Sequence, residues 1–317
     1  MSDLGRVLVL AGGLSPEREV SLHSGARVAE ALRQIGVAVE ISDVDGHLLA
    51  ALAADPPAAV FPVLHGVVGE DGTLREVLDL AGVPYVGATP AACRSAFDKP
   101  IAKAALTSAG LLTPASVTLP REAFHDLGAG PLAERVIARL GLPLVVKPRA
   151  GGSAFGVTRV DSEQKLPEAL VACFGYHNWA LIEQHVPGVE VAVGVVDLPG
   201  SEPIALPAVE IVPEGGVYDY AARYTAGRTD FFCPARLSAG AAERSALAAV
   251  TAHRTLGLRD LSRTDLIVAD DDRVYVLETN VAPGMTETST YPIALTAAGM
   301  DFGIVCRDLA ARAAQRG

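Results

Sequence analysis

Two acidic residues that a hairpin would set face to face are the strongest chemical signal in this chain. Leu261 to Ala269 and Val274 to Thr279 read as strands, and Asp271-Asp272 between them reads as a two-residue turn. That turn sets Asp265 opposite Glu278 and Arg263 opposite Asn280, and the period of two puts all four on one face. Directly opposed carboxylates repel unless something cationic lies between them. A divalent cation meets that need: Mg²⁺ takes one or two carboxylates and fills its shell with water and substrate phosphates. The alternative is a solvent-facing hairpin whose acids Arg263 neutralises. A slip of one residue in register would undo the pairing.

Other segments carry weaker signals of the same kind. Lys147 ends the strand Leu144 to Lys147 and precedes the Gly-rich run Pro148 to Gly156. A strand, Val157 to Val160, follows in place of a helix, so the run is not a Walker-type loop. It reads either as a flexible hairpin lying over phosphates, with Lys147 as a point charge, or as an ordinary turn. Leu10 to Glu19 joins the first strand to the first helix, at the sheet edge where open α/β folds bind ligands. The segment lacks the dinucleotide fingerprint, so Asp43 after the second strand does not indicate NAD. Glu17 either complements the helix dipole or holds an ammonium group. His65 to Gly72 follows the third strand at the same edge, with His65 as ligand contact or core residue. After the hairpin, Gly284 permits close backbone approach. Ser289 and Thr290 precede a helix whose free N–H groups can receive a carboxylate, or simply form a turn and cap.

Elements that would position these residues follow a clear order. In the first third, strands (Arg6 to Ala11, Val37 to Ile41, Ala59 to Val63, Pro84 to Val86) alternate with helices (Pro16 to Gln34, one near Leu48, Thr73 to Leu80). Such alternation predicts a parallel sheet with helices on both faces. Ser15 before Pro16 reads as a helix cap followed by proline at the first helical position. Past residue 90 come helices Ala91 to Phe97 and Lys99 to Ala109, the Gly-rich hairpin, helix Pro167 to Phe174 and strand Trp179 to Glu183. Longer strands, Val189 to Val196 and Pro203 to Val212, suggest antiparallel pairing. Pro213 to Pro234 reads as a long functional loop. Helix Ala241 to Leu256, the acidic hairpin, and helices near Ala294 and over Ile304 to Ala314 complete the chain.

Composition narrows the class. The chain has 317 residues, half hydrophobic and a fifth charged, which indicates a folded protein of about two domains. A net charge of −11 argues against a nucleic-acid scaffold or a binder of anionic membranes. Mean hydropathy is high at +0.31, yet no apolar run approaches the ~18 residues of a membrane span. The N-terminal apolar run, Val7 to Ala11, is too short for a signal segment. Cys93, Cys173, Cys233 and Cys306 show no C-x-x-C spacing, so neither a zinc site nor a disulfide framework is indicated. A reduced cytoplasm is the expected location. Only Lys99, Lys103, Lys147 and Lys165 of the 26 basic residues are lysine, which singles out each of them.

Taken together and in order, these pieces resemble the D-alanine–D-alanine ligases, a family of ATP-grasp enzymes. The matching segments are Gly12-Gly13…Ser15…Glu17-Arg18-Glu19-Val20-Ser21, Leu64-His65-Gly66…Gly69-Glu70-Asp71-Gly72-Thr73, Asp98-Lys99, Val146-Lys147-Pro148, Tyr218-Asp219-Tyr220…Tyr224, Cys233-Pro234-Ala235, Arg263-Thr264-Asp265 and Leu277-Glu278-Thr279-Asn280…Pro283-Gly284-Met285-Thr286. The resemblance implies an N-terminal parallel α/β domain (1–88) followed by a two-subdomain ATP-grasp fold: a central part (89–184), and a C-terminal part (185–317) with the metal site and omega loop. It implies that ATP phosphorylates one D-alanine carboxylate and a second D-alanine amine attacks the acyl phosphate, making a peptidoglycan precursor.

By the same resemblance, Glu17, Ser153 and Tyr224 form a hydrogen-bonded triad, with Glu17 on the first ammonium. His65 lies near the first D-alanine, and Ser289 and Thr290 take the second carboxylate. Lys99, Lys147, Glu183, Val186, Glu190, Tyr218 and Arg223 belong to the ATP site. Asp265, Glu278 and Asn280 bind Mg²⁺, with two ions and Mn²⁺ as a substitute. Arg263 and the Gly284 N–H stabilise the oxyanion. A homodimer is also implied. Arg223 replaces the usual Lys, Ala154 a common Ser, Gln184 a frequent Lys and Thr290 a common Leu or Met. These departures leave room for a sister ligase joining other small amino acids. A non-catalytic ATP-binding regulator is the reading from another class, and the intact set around Asp265 opposes it. Tyr224 favours an amine nucleophile over the hydroxyl of D-lactate.

Overall fold

A parallel sheet in the order β2-β1-β3 is built from β1 (Val7–Leu10), β2 (Val39–Ser42) and β3 (Ala59–Pro62). The structure is a computed structural model that describes residues 4–216, 218, 222–223 and 227–317. Val7, Val9, Ala59 and Phe61 point to one face and pack on Val28, Ala29 and Leu32 of α1 (Arg18–Gln34). Leu8, Leu10 and Val60 point to the other, against α2 (Leu48–Ala54) and, beyond the short α3 (Val67–Glu70), α4 (Thr73–Leu80). Covered faces explain why β1 and β3 read as unbroken apolar runs, whereas the edge strand β2 carries Glu40 and is only partly covered.

Two details differ from expectation. The strand expected at Pro84–Val86 shrinks to a single parallel bridge from Tyr85 to Val60. Helix α1 begins at Arg18, and Ser15 is not its cap. The Ser15 hydroxyl instead donates to the His65 carbonyl at 3.1 Å and accepts from the Glu17 N–H at 3.2 Å. Ser15 thus joins the loops after β1 and β3.

Helices α5 (Pro90–Phe97) and α6 (Lys99–Ser108) lead into a second, antiparallel sheet. Its strands are β4 (Ser116–Pro120), β5 (Leu144–Pro148), β6 (Thr158–Val160) and β7 (Trp179–Gln184), in the order β4-β7-β5-β6. Its core packs on α7 (Arg121–Asp126), α8 (Ala129–Leu140) and α9 (Leu166–Phe174). The sequence reading gave no element between Ala109 and Leu144. Helix α8 carries Ala133, Val136 and Leu140 at helical spacing, but Gly128, Gly130 and Pro131 at its start read as breakers.

The third sheet holds the acidic hairpin. It comprises β8 (Val189–Val196), β9 (Ile204–Ala205), β10 (Val209–Pro213), β11 (Thr229–Phe232), β12 (Leu261–Val268) and β13 (Val274–Asn280). The order is β11-β10-β8-β12-β13, with β9 on β8. The single strand expected over Pro203–Val212 is split around Pro207, which has no N–H for a ladder. The long segment expected as a loop contains β11, paired with β10. Helix α10 (Ala239–Thr255) covers this sheet. Of the last two helices, α11 (Thr290–Ala297) and α12 (Phe302–Ala314), the second returns to the first sheet and lies against α1.

Asp265 does face Glu278 and Arg263 does face Asn280, but not by the expected turn. Ala269 N–H donates to the Arg273 carbonyl at 2.9 Å, and Asp272 adopts φ 62°, so the turn is wider. Val268 therefore pairs with Val274, one residue off. A β-bulge at Leu277 restores the register, so the two deviations cancel. The bulge lies where two successive residues, Leu277 and Glu278, line one cavity.

Asp260, fully buried, fastens the returning C-terminal segment. Its carboxylate accepts from the Gly87 N–H at 2.7 Å and from both Arg316 Nη atoms at 2.9 and 2.6 Å. Asp260→Ala strands those donors. We expect it to lower unfolding free energy by about 3 kcal/mol, read as a shifted urea midpoint with unchanged slope.

Candidate active site

The cleft lies between the second and third sheets and opens on the loops that follow β1 and β3. Two cavities meet in it and share Lys99, Gly151, Gly152, Tyr218, Arg223, Asp265 and Glu278. The inner one reaches His65, Glu70, Ser153, Arg263, Asn280, Gly284, Ser289 and Thr290. The outer one reaches Lys147, Phe155, Val157, Glu183 to Val186, Glu190, Ile267 and Leu277.

Asp265 and Glu278 are each matched with a cation. Arg263 donates to both Asp265 oxygens, Nε to Oδ1 at 2.6 Å and Nη2 to Oδ2 at 2.8 Å. Lys99 Nζ stands 3.2 Å from Glu278 Oε2. Burial alone would raise the Glu278 carboxyl, but Lys99, Lys147, Arg223 and Arg263 together hold it well below the usual range. The solvent-facing alternative fails, since Asp265 is only 5% exposed, although Arg263 does neutralise it. Asn280 Oδ1 accepts from the Ala282 N–H at 2.7 Å. Two carboxylates and an amide oxygen form a hard, all-oxygen donor set, which fits Mg²⁺ if substrate and water complete the shell. Among the described residues, no group of three or more His, Cys, Asp or Glu could hold a metal.

The Gly-rich run folds down over the first sheet's loops. Gly151, Ser153, Ala154 and Gly156 all have positive φ, 141°, 52°, 56° and 68°. Lys99 Nζ donates to the Gly151 carbonyl at 2.8 Å. A Cβ on Gly152 would lie 3.6 Å from both Glu17 Oε1 and Glu70 Oε1, so the loop backbone closes on two acids. Arg149 at its base donates to Asp98 Oδ2, whose other oxygen caps α6. Lys147 Nζ is 2.5 Å from Glu183 Oε2, and Lys103 Nζ is 2.5 Å from Glu183 Oε1. The Glu183 side chain is therefore held between two lysines, while the residue still lines the outer cavity.

On the substrate side, His65 is buried and its Nδ1 lies 3.1 Å from the Ala282 carbonyl, which fixes Nδ1 as the donor. Burial, with some help from Arg263, pushes its pKa down to about 4, so it is neutral at pH 7. Glu17 is buried beside Gly66, where a Cβ would meet its Oε2 at 2.6 Å. Glu70 is a site residue to which the sequence reading gave no role. It accepts from the Gly66 N–H at 2.9 Å, and burial raises its pKa to about 7, with Glu278 and Glu17 adding repulsion. Its place between Gly69 and Gly72, at a ligand-binding sheet edge, was the available signal.

Gly284 faces Ser289, whose Oγ a Cβ there would approach at 2.7 Å. Ser289 Oγ accepts from the Thr286 N–H at 3.1 Å, and it does not cap α11, which leaves that helix's first N–H groups free for a carboxylate. Arg27, also missed, donates to the Met285 and Thr286 carbonyls at 2.9 and 3.0 Å and so fixes this loop from α1. Arg223 lies over the Tyr218 ring at 4.3 Å. Burial raises Glu190 to about 7 despite Arg223 nearby. Tyr224 lies outside the described residues, so its expected contact with Glu17 and Ser153 has no counterpart here.

Residues 105–310 match the family model described as D-ala D-ala ligase C-terminus, and residues 44–88 match that described as D-ala D-ala ligase N-terminus. A D-alanine--D-alanine ligase of Anaeromyxobacter dehalogenans (strain 2CP-1) is 41% identical over 301 residues, 95% of this chain and 94% of that protein. One of Bordetella petrii is 40% identical over 311 residues, 98% of this chain and 93% of that protein. Among solved structures, the D-alanine--D-alanine ligase of Bacillus anthracis complexed with ATP superposes with TM-score 0.80 at 28% identity, covering 98% of this chain and 97% of that one. The VanG D-Ala:D-Ser ligase of Enterococcus faecalis gives TM-score 0.82 at 29% identity, covering 96% and 98%. With relatives this similar over nearly the whole length, a matching fold and the same residues converging in one cleft, the chain belongs to the D-alanine–D-alanine ligase family and has its ATP-grasp fold.

Proposed function

We propose that this protein joins two D-alanine molecules at the expense of ATP, through a D-alanyl phosphate, for peptidoglycan precursor synthesis. One observation carries the reading. Arg263, Asp265, Glu278 and Asn280 form one wall of a cleft in which Lys99 and Lys147 supply ammoniums, while Glu17 and His65 stand at its inner end. Nucleotide fits the outer cavity, between the apolar side chains Val157, Ile267 and Leu277 and the segment Glu183 to Val186. Glu190, which lines the same cavity, would bind the ribose. Asp265, Glu278 and Asn280 would hold Mg²⁺, whose charge offsets that of the phosphates. The division into parts 1–88, 89–184 and 185–317 belongs to the same reading, with α12 crossing back to the first part. So do a homodimer and a cytoplasmic location. Among the described residues no helix is long and apolar enough to cross a membrane.

The chain's own residues divide the work. Glu17 receives the ammonium of the first D-alanine. Neutral His65, donating through Nδ1 to Ala282, keeps an uncharged ring against that substrate. Arg263 holds Asp265 through Nε and Nη2, and its Nη1 can face an oxyanion together with the Gly284 N–H. The free N–H groups of α11 receive the second carboxylate. Incubation with ATP, Mg²⁺ and a panel of D-alanine, D-serine and D-lactate tests the reading. Formation of D-alanyl-D-alanine with stoichiometric ADP supports it, and a better acceptor than D-alanine overturns the substrate assignment.

Glu278→Gln keeps the volume but removes half of the opposed pair. It should cost at least about 100-fold in kcat/KM and raise the Mg²⁺ requirement, with circular dichroism unchanged. Glu70 gives a pH prediction. Its folded pKa of about 7 exceeds the unfolded value, so its favourable contribution is complete at low pH and is lost as pH rises through 7. Glu70→Gln should therefore be more stable than the parent above pH 7, by on the order of 2 kcal/mol at pH 8, with the gap closing near pH 5. Parallel thermal melts across that range would measure it.

A further inference from the structure

Lys103 stands outside both cavities yet is buried, with two strong partners. It lies on α6, one helical turn past Lys99. Its Nζ donates to Glu183 Oε1 at 2.5 Å and to the Pro114 carbonyl at 2.9 Å. The second Glu183 oxygen takes Lys147 Nζ at 2.5 Å. Lys147 does line the outer cavity, and Lys103 does not. The three side chains form a buried row from helix α6 through β7 to β5.

From this geometry we propose that Lys103 is a positioning residue for the nucleotide phosphates: it neutralises and holds Glu183, so that Lys147 presents an undiminished positive charge to the cavity. The proposal rests on reading the outer cavity as the ATP site.

Two ammoniums and one carboxylate leave one net positive charge in the row. Without Lys103, Glu183 and Lys147 form a neutral pair, and the cavity wall loses one unit of attraction for a polyphosphate. In a buried setting that unit is weakly screened. Glu183 would also keep a buried oxygen with no donor, which draws Lys147 toward it. The charge state is consistent with this role. Burial alone would raise the Glu183 carboxyl, yet Lys147 and Lys103 hold it below the usual range. There is a mechanical side as well. Ala102 and Leu106 of α6 pack with the third sheet's core, whereas Glu183 and Lys147 belong to the second sheet. Lys103 thus ties together the two sheets that clasp the nucleotide.

Direct binding titrations of the full-length protein with ATP and with adenosine separate charge from scaffolding. Lys103→Met should bind ATP about tenfold more weakly while adenosine binding changes less than about twofold. Lys103→Arg, which keeps the charge but needs more room, should recover part of the ATP affinity and bind ATP more tightly than Lys103→Met. Equal weakening of ATP and adenosine, or unchanged ATP affinity, would overturn the proposal. If Lys103→Met fails to fold, Lys103→Gln decides by the same ratio, since its amide can still bond Glu183 but carries no charge. Wild-type protein that binds no ATP would sink the reading of the cavity itself. Wild-type binding with an unaltered variant would sink only the role of Lys103.

Discussion

Like charges held face to face across β12 and β13 set the terms for the rest of the active site. Asp265 and Glu278 sit opposite each other in a cleft where water screens little, so the fold has to supply cations on both sides. It supplies them from different places: Arg263 from the same strand, Lys99 from the start of α6. Both acids are thus already paired with positive charge from the chain itself. On the proposed function, a divalent ion and a nucleotide would enter an electrostatic arrangement that these side chains already set up.

That constraint explains several features that look unrelated. The bulge at Leu277 allows an apolar residue and an acid, adjacent in sequence, to share one cavity. The Asp98 cap does more than start α6. It anchors Arg149 and so sets the base of the Gly-rich loop close to Lys99, whose ammonium then holds Gly151. The loop backbone can lie against Glu17 and Glu70 only because position 152 has no side chain. The Gly-rich loop thus ties the second sheet to α6 and to the loops of the first sheet, which is how short strands position groups contributed from many points along the chain.

Much of this is legible in the sequence, for identifiable reasons. Parallel strands buried on both faces announced themselves as apolar runs, and the opposed acids followed from alternation in two facing strands. The details that escaped depend on contacts distant in sequence. Ser15 has the chemistry of a cap, but the carbonyl of His65 competes for it. The hairpin turn looked like two residues, and only the compensating bulge kept the pairing right. Helix α8 was hidden by glycines and a proline at its start. Glu70 and Arg27 carry ordinary surface residue types, and their places in the site are fixed by neighbours elsewhere in the chain. For Tyr224 the family resemblance remains the only source of a role.

The scarcity of lysine gains a physical meaning here. Lys99, Lys103 and Lys147 are all less than a tenth exposed, whereas Lys165 lies on the surface near Asp161. Elsewhere the chain uses arginine, including at buried or half-buried ion pairs such as Arg263–Asp265 and Arg316–Asp260. Those pairs are bidentate and suit a planar fork. Glu183 is different, because it receives one donor on each oxygen from opposite sides in a closed space. A compact ammonium with freely placed donors satisfies that geometry, and a guanidinium needs more room and a fixed plane. Lysine therefore persists in this arginine-rich chain where a compact charge is held, with Lys99 and Lys147 in the cleft and Lys103 buried directly behind it.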